Sequence, residues 1–384
     1  MERDLPGKSS MEKRLIKFVK SETVLSAAFL LALVSCFLVP PDYKYGSYIN
    51  YRVLILLFSI MSVTAGLNRI GIFEMISGKL TKKIHSTRNM ALFLVLLCFI
   101  ASMFLTNDIT LMTMVPFTLM IFQKVEDTSA RIHVLVIETV AANLGSMFTP
   151  FGNPQNLYLY AAYGYSLGSF LLLMLPFTLA SLCLVILYTV TFHHMSGTLP
   201  DVSLNGDFHP DKKKLLGYLL LFVLAMLSVA RVLDVRLLLL ITVAGILLMD
   251  KSIFHAVDYS LLLTFVFFFI FVGNTARIPA ISNQIMRIIE GRETLIAVLS
   301  SQIISNVPAA ILLSSFTTNG RNLIVGTNIG GLGTLIASMA SLITYRLYTE
   351  SSHADRQKYL IHFTWVNVQI LVVLYFLAFF LGDV

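Results

Sequence analysis

The sequence predicts an all-α polytopic membrane protein made of two inverted-topology repeats, each holding a re-entrant helical hairpin and a broken transmembrane helix. Three observations lead there. The 384 residues are 57% hydrophobic and only 13% charged, about half the charged share of a soluble protein, and the mean hydropathy is +0.80. Two long apolar segments are each interrupted once by a polar tip, Thr106-Asn107-Asp108 and Ser305-Asn306-Val307-Pro308. The stretch from Asn143 to Tyr160 aligns without gaps with the stretch from Asn328 to Tyr345, with five identities in eighteen positions.

The elements follow in order from hydropathy, because a membrane helix needs about 20 apolar residues. Residues 1–22 read as a cytoplasmic basic leader. Residues 23–40 read as a retained first span, since the apolar run continues past the lipoprotein-like Leu33-Val34-Ser35-Cys36. A second span covers 51–68. Over 69–84, Ile70, Ile72, Phe73, Ile76 and Leu80 alternate with Arg69, Glu74, Lys79, Lys82 and Lys83, which predicts an amphipathic helix at the membrane interface. Residues 89–122 form the first hairpin, 131–160 the first broken crossing and 168–191 the span that closes the first repeat (23–191). A cytoplasmic linker occupies 192–214 and a connecting span 215–231. The second repeat (232–384) follows with spans at 235–249 and 258–275, a hairpin at 294–318, a broken crossing at 321–348 and a final span at 360–381.

Charge sets the orientation. With the N-terminus in the cytoplasm, the inside segments hold 20 of the 28 lysines and arginines, as the positive-inside rule requires. This places the chain in the cytoplasmic membrane as a multi-pass protein. The formal charge of +7 is spread over these loops, and no basic domain exists to hold nucleic acid. Cys36, Cys98 and Cys183 lie in apolar segments at no metal-ligand spacing and read as buried small hydrophobes. No nucleophile–base pair, nucleotide fingerprint or cofactor motif is present, so the chain does not read as an enzyme.

The tips carry the chemistry. Lipid cannot hydrogen-bond an interrupted helix, so such breaks survive only inside protein or beside a watery cavity. Matching breaks in two halves are the best sequence pointer to a transporter's binding site. A helix that begins inside the bilayer aims free N–H groups and a positive dipole end at whatever lies there, which suits a small anionic solute. Asn107, Ser305 and Asn306 at the tips, with Asn143, Asn153, Asn156, Asn328 and Thr334 in the broken crossings, are the candidate solute ligands. Gly330 and Gly331 read as close helix packing. Asp108 and Glu138 are intramembrane carboxylates without acidic counterparts, since Asp108 aligns with Val307 and Glu138 with Leu323. They are candidates for a coupling ion, H+ or Na+. Glu138 can also be read as pairing with Arg131 or His133, and Arg321 as an exterior turn residue or an anion attractor.

These residues resemble a known group. Asn107-Asp108, Ser305-Asn306-Val307-Pro308, the run Thr149-Pro150-Phe151-Gly152-Asn153-Pro154-Gln155-Asn156-Leu157-Tyr158 and the run Asn328-Ile329-Gly330-Gly331-Leu332-Gly333-Thr334 are similar to motifs of arsenite-efflux and citrate-transporter-like permeases. The resemblance spans roughly residues 20–382. It implies inverted repeats, a solute site between the tips and the broken helices, and often a homodimer. Divalent-anion/sodium symporters carry Ser-Asn-Thr at both tips; Thr-Asn-Asp and Ser-Asn-Val here set this chain apart from sodium-coupled dicarboxylate uptake. The expected function is secondary transport of a small anion or oxyanion driven by a proton or sodium gradient. A sodium/proton antiporter is the alternative, and an intramembrane hydrolase or a passive channel is remote.

Overall fold

A computed structural model of the chain describes residues 19, 22–71, 84, 86–123, 125, 127–193, 211–352 and 354–383. Among them there are helices and no strands, as in an all-α polytopic membrane protein. The first half contains α1 (Thr23–Leu38), the short α2 (Tyr45–Tyr48), α3 (Tyr51–Arg69), α4 (Thr87–Phe104), α5 (Asn107–Phe122), α6 (Thr128–Ser146), α7 (Pro154–Ala162) and α8 (Leu167–Thr191). The connecting helix α9 is Lys212–Val229. The second half contains α10 (Val235–Met249), α11 (Tyr259–Ala276), α12 (Pro279–Ile289), α13 (Glu293–Ile304), α14 (Asn306–Ser314), α15 (Gly320–Ile329), α16 (Met339–Glu350) and α17 (Arg356–Phe380).

The breaks fall where the polar residues stand. Helices α4 and α5 are the arms of the first hairpin, and α13 and α14 those of the second. The broken crossings are α6 with α7 and α15 with α16. Helices α3, α4, α8, α11 and α17 are each long and apolar enough to cross a membrane. Helix α12 is an addition to the expected elements. It stays largely exposed, with Ile289 its one buried residue. The leader, the amphipathic segment at 69–84 and the linker at 192–214 lie mostly outside the described residues. Of the three cysteines expected to be buried, Cys98 is, whereas Cys183 is exposed on the outer face of α8 and Cys36 is half-buried.

The two halves pack reciprocally. Helix α1 packs on α11, and α10 packs on α3. The second hairpin arm of each half lies against the second piece of the other half's broken crossing, α5 on α16 and α14 on α7. Within each half the first hairpin arm lies along the first piece of the broken crossing, α4 on α6 and α13 on α15. Caps repeat as well: Asn50 accepts from the Val53 N–H and Asp258 from the Leu261 N–H, at equivalent helix starts.

Small residues permit this closeness. A Cβ on Gly145 of α6 would lie 2.1 Å from the Phe99 carbonyl oxygen of α4. At the aligned Gly330, a Cβ would lie 2.8 Å from Ser301 Oγ of α13. Gly331 faces the other way, toward Asn306 Nδ2. Hydroxyls and amides tie the halves together: Thr139 Oγ1 donates to Thr344 Oγ1 at 2.9 Å, and Asn328 Nδ2 donates to Asn156 Oδ1 at 2.6 Å.

Gly145→Ala forces backbone apart at the α4–α6 contact and should destabilise the protein by at least the 1–3 kcal/mol typical of overpacking, about. Gly46→Ala, whose Cβ meets nothing within 4 Å, should leave the melting temperature in detergent unchanged. Equal melting of the two variants would contradict the packing.

Candidate functional site

Four helices begin at one place. The starts of α5, α7, α14 and α16 line a cavity of about 280 Å³ through Asn107, Asp108, Asn153, Pro154, Ser305, Asn306, Val307, Pro308, Ser338 and Met339. Their N-cap residues are Thr106, Asn153, Ser305 and Ser338, all good capping types. None of the four makes a side-chain cap hydrogen bond. Of the other thirteen described α-helix starts, eight are capped by side chains, those at Asn50, Asp127, Ser166, Asp211, Asp234, Asp258, Asn319 and Asp355, and five, at Glu22, Lys44, Ser86, Ile278 and Arg292, are not. What sets the four apart is that they meet on one cavity. In these first turns the Asp108 N–H donates to Asn107 Oδ1 at 2.9 Å, the Asn107 and Asn306 N–H groups donate to backbone outside their helices, and Pro154 and Pro308 have no N–H, so only part of each first turn is left without an acceptor. Each start also carries the positive end of a helix dipole, equivalent to roughly +0.5 charge.

The tips are held by backbone pairs in matching register. The Asn107 N–H donates to the Gly152 carbonyl at 3.3 Å, and the Asn306 N–H donates to the Ala337 carbonyl at 3.0 Å. Gly152 and Ala337 occupy aligned positions of the two broken crossings. Behind the tips, Asn143 Oδ1 accepts from Asn107 Nδ2 at 3.0 Å and from Ser338 Oγ at 2.9 Å. Asn143 is therefore a buried residue behind the lining that ties the first tip to the start of α16, whereas the aligned Asn328, also outside the lining, donates to Asn156 Oδ1 and the Ile324 carbonyl. Around them Asn143 Nδ2, Asn328 Oδ1 and both amide atoms of Gln155 are buried with no hydrogen-bond partner among the described residues. Each such group costs about 1–3 kcal/mol.

The second turn is the tighter one. The first hairpin reverses over two non-helical residues, Leu105 and Thr106, and the second over Ser305 alone. Ser305 consequently sits at φ 73°, ψ 154°, a region that is essentially glycine's and costs of order 1–3 kcal/mol.

Thr334 is not in the cavity. It is exposed; its N–H donates to Gln302 Oε1 at 2.9 Å and its hydroxyl to the Gln302 carbonyl at 3.1 Å. The aligned Thr149 makes the same hydroxyl latch to the Met103 carbonyl at 2.6 Å. A threonine in an interrupted helix can close the break as readily as face a solute, and here it closes the break. Gln302 completes the closure by donating to the carbonyls of Gly330 and Leu332, both at 2.9 Å.

The two carboxylates separate. Asp108 lines the cavity, with Asp258 on the wall and Glu22 at the mouth. Glu138 is fully buried outside that lining, and its Oε1 accepts from Thr118 Oγ1 at 2.5 Å. His133 pairs with His362 at 2.8 Å. Arg321 forms an ion pair with Asp383 near the chain's end and takes no part in the cavity. Glu22, Thr23, Asp258, Ser260, Thr264, Ser338 and Arg346 are polar lining residues that sequence reasoning missed. Ser338 was accessible from the repeat, since it aligns with Asn153.

The lining reaches the protein surface at the beginnings of α1 and α11 and the end of α16, where Thr23, Asp258 and Arg346 are exposed. The opposite side is packed. There Leu157 and Tyr158 of α7 are buried, the Tyr158 ring lies 6.1 and 5.6 Å from Phe265 and Phe269, and its hydroxyl bonds Ser314 Oγ at 2.7 Å. Among the described residues no group of three or more metal-ligating side chains occurs.

Interrupted helices meeting at a one-sided cavity within a polytopic bundle define a membrane transporter. Residues 11–319 match the family described as citrate transporter, and the chain belongs to that family. It is 35% identical over 300 residues to the uncharacterized transporter MJ0456 of Methanocaldococcus jannaschii, covering 78% of this chain and 81% of the relative. Against the inner membrane protein YbiR of Escherichia coli it is 28% identical over 341 residues, 88% of this chain and 91% of the relative. A shorter match, 33% over 141 residues, joins 37% of this chain to 28% of the silicon efflux transporter LSI3 of Oryza sativa subsp. japonica.

Two outcomes test these assignments. Ser305→Gly should hold or raise the melting temperature, whereas Ser305→Val should lower it; a loss with glycine would contradict the strained turn. Thr334→Val should lower stability by about 1 kcal/mol, the worth of a hydrogen bond, and leave solute affinity unchanged in a binding titration.

Proposed function

We propose that this chain is a secondary active transporter of a small anion or oxyanion in the cytoplasmic membrane, coupled to a proton or sodium gradient. The observation that carries the reading is the meeting of four uncapped helix starts on one cavity. Their dipole ends together amount to on the order of two positive charges, and their free N–H groups are ready acceptor-seekers for anionic oxygens. The family's citrate transporters, and a relative named as a silicon efflux transporter, support a small oxygen-rich solute. A cavity of about 280 Å³ limits its size.

In this reading Asn107, Asn153, Ser305, Asn306 and Ser338 hold the solute with the first-turn N–H groups, and Asn143 fixes Asn107 and Ser338 from behind. Asp108, facing the same cavity, binds the coupling ion. Glu138, sealed behind the hairpin, is the second candidate for that role. The repeats are inverted in the membrane, the N-terminus is cytoplasmic, and the cavity faces the cytoplasm. Closing the open α16 side while unpacking the aligned α7 side would expose the same four starts to the other face, the alternation such repeats permit.

The acidic lining of Asp108, Asp258 and Glu22 favours one second reading, a sodium/proton antiporter. Counterflow of labelled citrate, phosphate and arsenite in proteoliposomes under imposed pH and sodium gradients separates the two, because an antiporter shows no solute exchange. Asn107→Ala and Asn306→Ala should each lose the 1.5–3 kcal/mol, about, of a hydrogen bond to a charged group and reduce solute flux at least tenfold with insertion intact. Asp108→Asn should leave exchange and abolish gradient-driven accumulation. Full transport by both asparagine variants would overturn the site.

A further inference from the structure

Arg346 is the one basic residue that lines the cavity, against three acidic ones, Glu22, Asp108 and Asp258. It belongs to a stripe of α16, Met339, Leu342, Ile343 and Arg346, whose members all face the cavity. The spacing i, i+3, i+4, i+7 is one helix face, so Arg346 stands two turns, about 10 Å, above the helix start at the floor. Asp258 on the facing wall is engaged in capping α11, where it accepts from the Leu261 N–H at 2.9 Å. Arg346 is exposed, and its guanidinium makes no hydrogen bond or ion pair among the described residues. An arginine left free beside three carboxylates is available to an incoming ligand.

The repeat shows that this charge is one-sided. The aligned stripe of α7 is Pro154, Leu157, Tyr158 and Ala161. Alanine stands where Arg346 would be, so α7 itself brings no cation to the equivalent position. Guanidinium is suited to the role because its planar fork matches the oxygens of a carboxylate or oxyanion and it is less strongly hydrated than an ammonium.

We propose that Arg346 is the specificity residue that captures the anion at the open face, past the carboxylates of the mouth, and hands it to the helix starts below. This rests on the anion-transport reading of the same cavity. It gives the transporter a higher affinity from the Arg346 side than from the opposite one. The coupling gradient, not this residue, sets the direction of net flux.

The test uses the full chain in lipid nanodiscs and in sealed vesicles of both orientations. Binding of citrate, phosphate and sulfate is measured by calorimetry for the unaltered protein, Arg346→Gln, Arg346→Lys and Asn306→Ala. The expected result is a tenfold or greater weakening of the tightest of the three anions by Arg346→Gln, with partial recovery by Arg346→Lys. In vesicles the half-saturating concentration should rise only from the Arg346 face. Unaltered affinity in Arg346→Gln, with binding lost in Asn306→Ala, overturns the role of Arg346 and leaves the site. Equal weakening from both faces overturns its sidedness. Binding of none of the anions by the unaltered protein overturns the anion site and this proposal with it. If Arg346→Gln fails to fold, Arg346→Lys carries the test: an affinity identical to the unaltered protein for all three anions overturns the fork recognition.

Discussion

Inside a bilayer a backbone N–H has no water to turn to, and four helices of this polytopic bundle begin on one cavity without a side-chain cap. An uncapped start in hydrocarbon is expensive, since each unsatisfied group costs several kcal/mol. The arrangement survives because the four starts face one another across a polar cavity and not lipid. Much of the surrounding architecture serves to hold them there. Gly145 and Gly330 let the hairpins approach the broken crossings, and Gly152 and Ala337 take the tip amides. Thr149 and Thr334 latch the breaks, and Asn143 ties the tip of one half to Ser338 of the other.

What the halves share and what they do not divide the labour. The paired tips, latches and uncapped starts form a common frame around the cavity. Among the differences are Asp108 against Val307, Arg346 against Ala161, and Gln302 against Met103. The strain at Ser305 is another difference, arising from a turn one residue shorter than its counterpart.

The helix positions and the breaks between paired helices were legible because hydropathy length and helix-breaking residues dominate membrane sequences. Helix α12 was not, since its mixed polar and apolar residues read equally as a loop. At the site, Asn107, Asp108, Asn153, Ser305 and Asn306 stand at the cavity, for the same reason that marked them: polar residues at a break have nowhere else to go. Thr334 misled because its hydroxyl has a backbone carbonyl within reach. Arg346 was hidden by its position, where a basic residue near a helix end reads as a topological signal. The pairing of Arg321 with Asp383 depends on folding across 62 positions of sequence, which no local pattern encodes.

The central claim is that the uncapped helix starts bind the transported anion. An experimental structure determined with that anion bound tests it most directly. The account predicts the anion between the two tips, its oxygens within about 3 Å of first-turn N–H groups of α5 and α14, with α7 or α16 completing the shell. An anion bound away from these starts, with Thr106, Asn153, Ser305 and Ser338 turned in to cap their own helices, would contradict it.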